Sequence, residues 1–170
     1  GTVARVCTEA AWDCVIVTGD RDSLQLVGDR VTVKLVITKS GQTTSTNYTP
    51  QLFQAEYGFA PPILVDLKAL MGDASDNIPG VPGIPGVAGV GPKSATELLL
   101  RFGTLAGVYE NLQDDAIRPK LREKLEAGRE MAFLSYKLAT IRTDAPIVFV
   151  PEACRCQEPD RAALCELFAR

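Results

Sequence analysis

Glycine and proline punctuate residues 77–91, and this run constrains the fold more than any other feature of the chain. Proline lacks a backbone N–H and glycine favours turns, so neither a helix nor an interior strand passes through such a run. Apolar residues at helical spacing predict a helix from Leu64 to Met71, which Gly72 closes. Pro92 suits the first position of the next helix, through Phe102. The sequence therefore predicts two helices joined by an irregular loop.

The end of this loop, from Gly89 to Ala95, fits the helix–hairpin–helix pattern of glycine, apolar residue, glycine, three residues and alanine. Glycines let backbone N–H groups approach a phosphate, and the positive end of the following helix faces it. Lys93 lies in the first turn, where a cation opposes the helix dipole unless an anion lies opposite. We therefore predict sequence-independent contacts with a DNA backbone from Gly83, Gly89, Val90, Gly91, Lys93 and Ser94. The alternative is a glycine-rich connection between helices that binds nothing.

Two aspartates follow an apolar run near the start of the chain. The run, from Cys14 to Val17, predicts a strand buried on both faces. Asp20 and Asp22 come after it, and alternate side chains of an extended turn point the same way. In open α/β sheets, ligands gather beyond the carboxyl ends of the strands. The alternative is ordinary turn chemistry, in which an aspartate bonds its own backbone.

A second acid pair, Asp73 and Asp76, follows the predicted helix end at Gly72. A carboxylate at that end meets the negative pole of the dipole, which indicates that a positive group compensates Asp73. The alternative is that Asp73 or Asp76 caps the next turn. If both acid pairs converge, they repel one another unless a cation lies among them, and Mg²⁺ (or Mn²⁺) suits such oxygen ligands. Hydrolysis by two metal ions requires more ligands than these.

Regular elements are predicted around these motifs. Residues 31–38 and 42–47 have the pattern of a hairpin, and a helix begins at Thr49-Pro50 and ends at Gly58. Further helices are predicted at 104–112, at about 119–141 and from residue 160 onward. Basic residues recur there, and pairing with neighbouring glutamates on a solvated face explains most of them: Arg101, Arg118, Lys120, Arg122, Lys124, Arg129, Lys137 and Arg142.

Composition excludes several classes of protein. The net charge of −3 over 170 residues is not that of a generally basic DNA-binding chain, so any DNA contact is local. The chain has no histidine, which removes the commonest general base. No apolar run is long enough to span a membrane. The five cysteines lack metal-site spacing, and we interpret them as small thiols in a reducing cytoplasm.

These motifs, in this order, resemble the 5′ nuclease domain of bacterial DNA polymerase I and, more distantly, phage and flap endonucleases. The matching stretches are VIVTGDRDSLQLV at 15–27, YTPQLFQAEYG at 48–58, VDLKALMGDASDNIPGVPGI at 65–84, GPKSATELL at 91–99 and KLATIRTDAPI at 137–147. The tail at 157–168 resembles the linker toward the polymerase region. The resemblance implies an α/β fold, the later half of a PIN-like parallel-sheet core followed by a helical DNA-binding subdomain. The implied divisions are residues 1–60, 61–142 and 143–170.

The resemblance also implies a function: 5′–3′ exonuclease and flap endonuclease activity in DNA replication and repair, in the bacterial cytoplasm. It assigns Asp20, Asp22, Asp73 and Asp76 to the metal site, with K⁺ held by carbonyls of the hairpin loop. Two departures bear on this. Acids that such nucleases carry in their first half are not in this sequence, and residues 85–90 are interposed in the loop, which leaves either Gly83 or Gly89 as its first glycine. We therefore expect the chain alone to be inactive, and keep a non-catalytic DNA-binding module as the alternative.

Overall fold

The computed structural model describes residues 1–85, 89–156 and 158–169. The helices are α1 (Thr2–Glu9), α2 (Pro50–Tyr57), α3 (Leu64–Met71), α4 (Pro92–Phe102), α5 (Leu105–Glu110), α6 (Pro119–Ala127), α7 (Arg129–Ala139) and α8 (Arg161–Phe168). The strands are β1 (Cys14–Thr18), β2 (Val31–Lys39) and β3 (Gln42–Tyr48), and short 3-10 helices cover Arg21–Leu26, Pro61–Ile63 and Pro151–Cys154. The predicted α/β fold class is confirmed.

The sheet of the described residues has three strands in the order β1-β2-β3. β1 pairs in parallel with β2, and β2 pairs antiparallel with β3. The β2–β3 turn needs positive φ at both central residues, and Ser40 and Gly41 adopt φ of 52° and 78°. The predicted hairpin is therefore confirmed, next to a single parallel pair.

β1 corrects the prediction of a strand buried on both faces. Ile16 packs against the core, but Val15 and Val17 are 61 % and 65 % exposed. Successive side chains of a strand point to opposite faces, and only one face of β1 is covered by the described residues. Apolar composition alone does not distinguish a strand with two covered faces from an outer strand with one.

One apolar core runs from the sheet through the helices. It includes Val33 of β2, Phe53 of α2, Leu70 of α3 and Leu99 of α4. α3 lies at its centre, since all of its residues from Leu64 to Leu70 are buried. α2 begins and ends as predicted, with the Thr49 hydroxyl accepting from the Leu52 N–H and Gly58 in the left-handed region. The central position of α3 fixes its C-terminal end, which leads into the candidate site.

The prediction of one continuous helix at about 119–141 is wrong, because the structure has two helices that meet at Gly128. A Cβ on Gly128 would lie 2.9 Å from Pro82 Cδ and 2.9 Å from Val81 Cγ1. The loop before α4 thus packs against this junction, and glycine is what makes the close approach possible.

The tail beyond α7 packs loosely. α8 has no buried residue among those described. It confirms the helix predicted from residue 160 onward, and the Asp160 side chain caps its start. No helix in the described ranges is long and apolar enough to cross a membrane.

Candidate metal centre and phosphate-binding hairpin

A tight loop holds the second acid pair directly after α3. The Asp73 N–H donates to the Ile78 carbonyl at 2.8 Å, and the Ile78 N–H donates back to the Asp73 carbonyl at 2.9 Å. A Cβ on Gly72 would lie 2.7 Å from the Ile78 carbonyl oxygen, and Gly72 also has φ of 78°. Glycine is therefore required where the loop folds back, and the fold-back fixes Asp73 beside the end of α3.

The structure brings acids from both predicted pairs together. Carboxylate oxygens of Asp22, Asp73 and Asp76 all lie within 4.8 Å of one another. Asp22 lies in the 3-10 helix after β1, whereas Asp73 and Asp76 lie in the loop after α3. Asp22 and Asp73 are half-buried, and Asp76 is exposed. The distant stretches that the sequence linked only by chemistry are thus adjacent in space.

Asp20 lies beside this cluster in a different role. Its carboxylate accepts a hydrogen bond from the Asp22 N–H at 2.8 Å and caps the 3-10 helix that begins at Arg21. Asp20 still lines a cavity of about 430 Å³ together with Asp22, Asp73 and Asp76. The turn chemistry considered as the alternative for this pair therefore holds for Asp20, within the same cavity.

Lys68 is the residue that sequence reasoning missed. Its ammonium bonds the Asp22 carboxylate, lies 2.6 Å from an Asp73 oxygen and 4.0 Å from an Asp76 oxygen. The residue is only 8 % exposed. A signal was available, because a lysine among the apolar residues of a predicted core helix requires an anionic partner. Lys68 is also the positive group that the position of Asp73 at a helix end indicated.

The Lys68 ammonium lowers the pKa of Asp73 to about 2, with help from the Ser75 hydroxyl, which donates to the same carboxylate at 2.5 Å. Asp73 is therefore ionised at every physiological pH. A carboxylate that stays ionised at neutral pH is suited to coordinate a metal cation.

The donor set fits a hard divalent cation. All the candidate ligands are carboxylate oxygens, the type that Mg²⁺ and Mn²⁺ prefer, and the cavity leaves room for water. Three carboxyl groups lie beside one ammonium, so the acidic groups of this cluster outnumber the basic one. The Lys68 ammonium already places one positive charge among these carboxylates.

Gly89 and Gly91 flank Val90 directly before α4. A Cβ on Gly89 would lie 2.6 Å from the Val81 carbonyl oxygen, so this glycine is needed for close packing. Gly91 precedes α4 and faces open space, with nothing within 4 Å of an added Cβ. Val90 is buried, whereas Lys93 and Gly83 are exposed and Ser94 is half-buried. Of the interposed residues 85–90, residues 86–88 lie outside the described part of the chain.

Ala95, the small residue of the pattern, is fully buried in the core. The first intrahelical bond of α4 runs from the Ala95 N–H to the Gly91 carbonyl at 3.0 Å. The backbone N–H groups of Lys93 and Ser94 precede that bond, so they have no acceptor within the helix. They point from the helix start beside Gly91, where a phosphate oxygen could accept from them.

Comparison with solved structures defines the class of protein first. A zinc-bound T5 5′-exonuclease superimposes with a TM-score of 0.63 at 23 % identity, over 81 % of this chain and 48 % of the other. A complex of the bacteriophage T5 D15 flap endonuclease with DNA and metal ions gives a TM-score of 0.62, also at 23 % identity. The chain therefore has the fold of a 5′ exonuclease.

The family follows from sequence. The profile described as 5′–3′ exonuclease, C-terminal SAM fold, matches residues 59–162, and the chain belongs to this family. DNA polymerase I of Caldicellulosiruptor bescii is 43 % identical over the whole chain, and that of Bacillus caldotenax is 44 % identical over 168 residues. The chain spans 19 % and 18 % of the lengths of these relatives. The resemblance predicted from the motifs is confirmed.

Proposed function

We propose that this chain is the part of a metal-dependent 5′–3′ exonuclease and flap endonuclease that completes one metal site and grips duplex DNA. The observation that carries the proposal is the convergence of Asp22, Asp73 and Asp76 within 4.8 Å of one another. In this proposal the protein acts in DNA replication and repair in a bacterial cytoplasm, and the parent polypeptide continues into a polymerase region. Residues 1–60 form the nuclease core part, 61–142 the DNA-binding subdomain and 143–170 the linker.

Asp22, Asp73 and Asp76 would hold Mg²⁺ or Mn²⁺, with Asp20 positioning Asp22 through its backbone bond and lining the same cavity. A bound divalent cation supplies charge neutralisation at the phosphodiester and lowers the pKa of a coordinated water. Lys68 keeps the Asp73 carboxylate ionised and holds it beside the Asp22 carboxylate when the cation is absent. It also places a second positive charge beside the phosphate that enters the cavity.

The hairpin would anchor the duplex without reading bases. Gly91 leaves open space at the start of α4, and Lys93 and Ser94 offer N–H groups there. Gly89 provides the close packing that holds this turn, with Val90 buried behind it and Gly83 exposed on the other arm of the loop. A K⁺ ion held by loop carbonyls would strengthen the same contact, since it adds positive charge next to a phosphate.

A second candidate is a DNA-binding module without catalysis. The ligand count favours it for the chain alone, because the described residues contain one group of three acids that could hold a metal ion. Two-metal hydrolysis needs ligands for both ions. Under this second candidate, the hairpin binds DNA, and the cluster of Asp22, Asp73 and Asp76 has a structural role only.

Cleavage of a duplex with a 5′ flap in Mg²⁺ separates the two candidates. We expect the chain alone to bind this substrate without cutting it, and a longer parent polypeptide to cut it. In that parent, Asp73→Asn should abolish cleavage and leave DNA binding intact, whereas the exposed Asp29→Asn should change neither. A parent that does not cleave would refute the nuclease proposal, and cleavage by the chain alone would refute the module.

A further inference from the structure

The cavity that contains the acid cluster is also lined by two positively charged side chains, Lys68 and Arg21. The Lys68 ammonium is already paired, because it contacts carboxylates of Asp22 and Asp73. Arg21 is exposed, and across the described ranges it forms no ion pair. The Arg21 guanidinium is therefore a positive charge in this cavity that no described acid neutralises.

Arg21 lies between two acids in the sequence and pairs with neither of them. The Asp20 carboxylate accepts a hydrogen bond from the Asp22 N–H at 2.8 Å, and the Asp22 carboxylate bonds the Lys68 ammonium. Both flanking carboxylates thus have partners other than Arg21. A guanidinium is always charged, and its planar set of N–H donors matches an oxyanion. An unpaired arginine in a cavity therefore favours an anionic ligand.

Two tyrosines lie beside the Arg21 guanidinium. Partial burial lowers the pKa of Arg21, but the phenol groups of Tyr57 and Tyr48 raise this pKa above its ordinary value. The Tyr57 ring stacks on the buried Phe53 ring, with centroids 4.2 Å apart and 6° between the ring planes. The Tyr48 hydroxyl donates to a carboxylate oxygen of Glu56 at 2.8 Å. A guanidinium that is held by such fixed neighbours loses less conformational freedom on binding than a freely rotating one.

A phosphate is the anion that the proposed function brings into this cavity. The carboxylates alone would repel it, and a divalent cation among Asp22, Asp73 and Asp76 would offset that repulsion. Arg21 lines the same cavity, so its N–H groups are available to a phosphate beside the cation. A guanidinium can donate two parallel hydrogen bonds to phosphate oxygens, which orients the phosphate as well as binding it.

We propose that Arg21 binds the phosphate at the metal site, with its guanidinium donating to non-bridging oxygens, and that Tyr57 positions Arg21 for this contact. The inference rests on the proposed function and adds a phosphate-binding residue to its cavity. The alternative is a structural role, in which Arg21 only connects the start of its 3-10 helix to β3 and α2 through Tyr48 and Tyr57.

The test measures binding of thymidine 5′-monophosphate to the full chain by isothermal titration calorimetry, with and without Mn²⁺. In Mn²⁺, we expect Arg21→Gln to weaken binding about tenfold and Arg21→Lys about threefold, because lysine keeps the charge without the paired donors. Tyr57→Phe keeps the stacked ring without its hydroxyl and should weaken binding about two- to threefold. The matched control is Arg161→Gln, because Arg161 is an exposed arginine at the start of α8, outside the cavity.

Thermal unfolding of each variant separates phosphate binding from the structural role. If Arg21 only connects neighbouring elements, Arg21→Gln and Tyr57→Phe lower the unfolding midpoint and bind the nucleotide like Arg161→Gln, and the proposal is wrong. Under the proposal, nucleotide affinity falls in the order wild type, Arg21→Lys, Arg21→Gln at a temperature where all three are folded. Electron paramagnetic resonance should show that their affinity for Mn²⁺ is unchanged.

The outcomes also separate this inference from the proposed function. If the wild type binds Mn²⁺, Asp73→Asn does not, and Arg21→Gln binds the nucleotide like Arg161→Gln, then the Arg21 proposal is wrong and the metal site stands. If nucleotide binding depends on Arg21 although Mn²⁺ does not bind, the Arg21 site stands and the metal-dependent function fails. A wild type that binds no nucleotide in Mn²⁺ contradicts the Arg21 proposal directly.

Discussion

The ammonium nitrogen of Lys68 lies 2.6 Å from a carboxylate oxygen of Asp73, at the end of the helix that forms the centre of the core. This ion pair joins the fold to the candidate metal site, because Lys68 is buried in α3 and Asp73 begins the loop that follows it. The same ammonium also bonds Asp22 from the turn after β1. One buried lysine thus holds together acids from two distant stretches.

Replacing Lys68 distinguishes the structural role of its ammonium from the role of a bound metal ion. We expect Lys68→Met to lower the free energy of unfolding by about 1–3 kcal/mol in chelator, since it leaves carboxylates close together without compensation. Added Mn²⁺ should restore most of this loss and bind several-fold more tightly than in the wild type. Thermal unfolding with and without Mn²⁺ measures both effects, with Lys137→Met as the control. A loss that Mn²⁺ does not reduce would contradict this account.

Asp66 predicts a dependence of stability on pH. Burial raises the pKa of its carboxyl above the ordinary 3.8, although the carboxylate accepts from the Leu105 N–H at 2.7 Å. The folded state therefore holds this proton more tightly than the unfolded state, so the carboxyl's contribution to stability is fully present below about pH 4 and is lost as pH rises through the folded-state pKa. Asp66→Asn keeps an acceptor for Leu105 and should flatten this dependence, measured by urea unfolding from pH 4 to pH 7.

Asp66→Ala tests the other half of that argument. It leaves the Leu105 N–H at the start of α5 without its side-chain acceptor, so we expect a loss of about 1–3 kcal/mol at neutral pH. An alanine variant as stable as the asparagine variant would show that the hydrogen bond contributes nothing.

Gly128 is predicted to be intolerant of a side chain. Gly128 lies between α6 and α7, and Gly128→Ala places a Cβ 2.9 Å from atoms of Val81 and Pro82. Since the packed loop must move, we expect a net destabilisation of about 1–2 kcal/mol in chemical unfolding. The control is Gly28→Ala, where an added Cβ meets nothing within 4 Å and stability should change little. Equal results for both variants would refute the packing argument.

The exposed face of β1 predicts self-association. Val15 and Val17 lie on an outer strand and are 61 % and 65 % exposed. Exposed apolar faces promote association between chains, so the double variant Val15→Thr, Val17→Thr should scatter less light at high protein concentration, with an unchanged unfolding midpoint. Unchanged scattering would show that this face does not mediate contacts between chains.

Several features were readable from sequence because local chemistry determines them. The hairpin turn at Ser40-Gly41, the Thr49 cap and the helix start at Pro92 each depend on a few adjacent residues, and each is present. The proximity of the two acid pairs was predictable only as a hypothesis from charge repulsion and cation chemistry. The structure supplies the distances for Asp22, Asp73 and Asp76.

Other features depend on contacts between distant segments, which no local pattern encodes. The break at Gly128 exists because the loop at Val81 and Pro82 packs there. The residues on both sides favour helix, so the local sequence does not indicate the break. The exposure of Val15 depends on whether other described residues cover that face of the sheet. Lys68 and Asp22 are 46 residues apart in the sequence, so only the fold brings their side chains together.

Binding of Mn²⁺ to the full chain, followed by electron paramagnetic resonance, tests the central claim most directly. The account predicts that the wild type and Asp29→Asn bind Mn²⁺ alike, and that Asp73→Asn binds it at least about tenfold more weakly, since a charged oxygen ligand is lost. If Asp73→Asn binds Mn²⁺ as tightly as Asp29→Asn, the carboxylates around Lys68 are not a metal site and the account is contradicted.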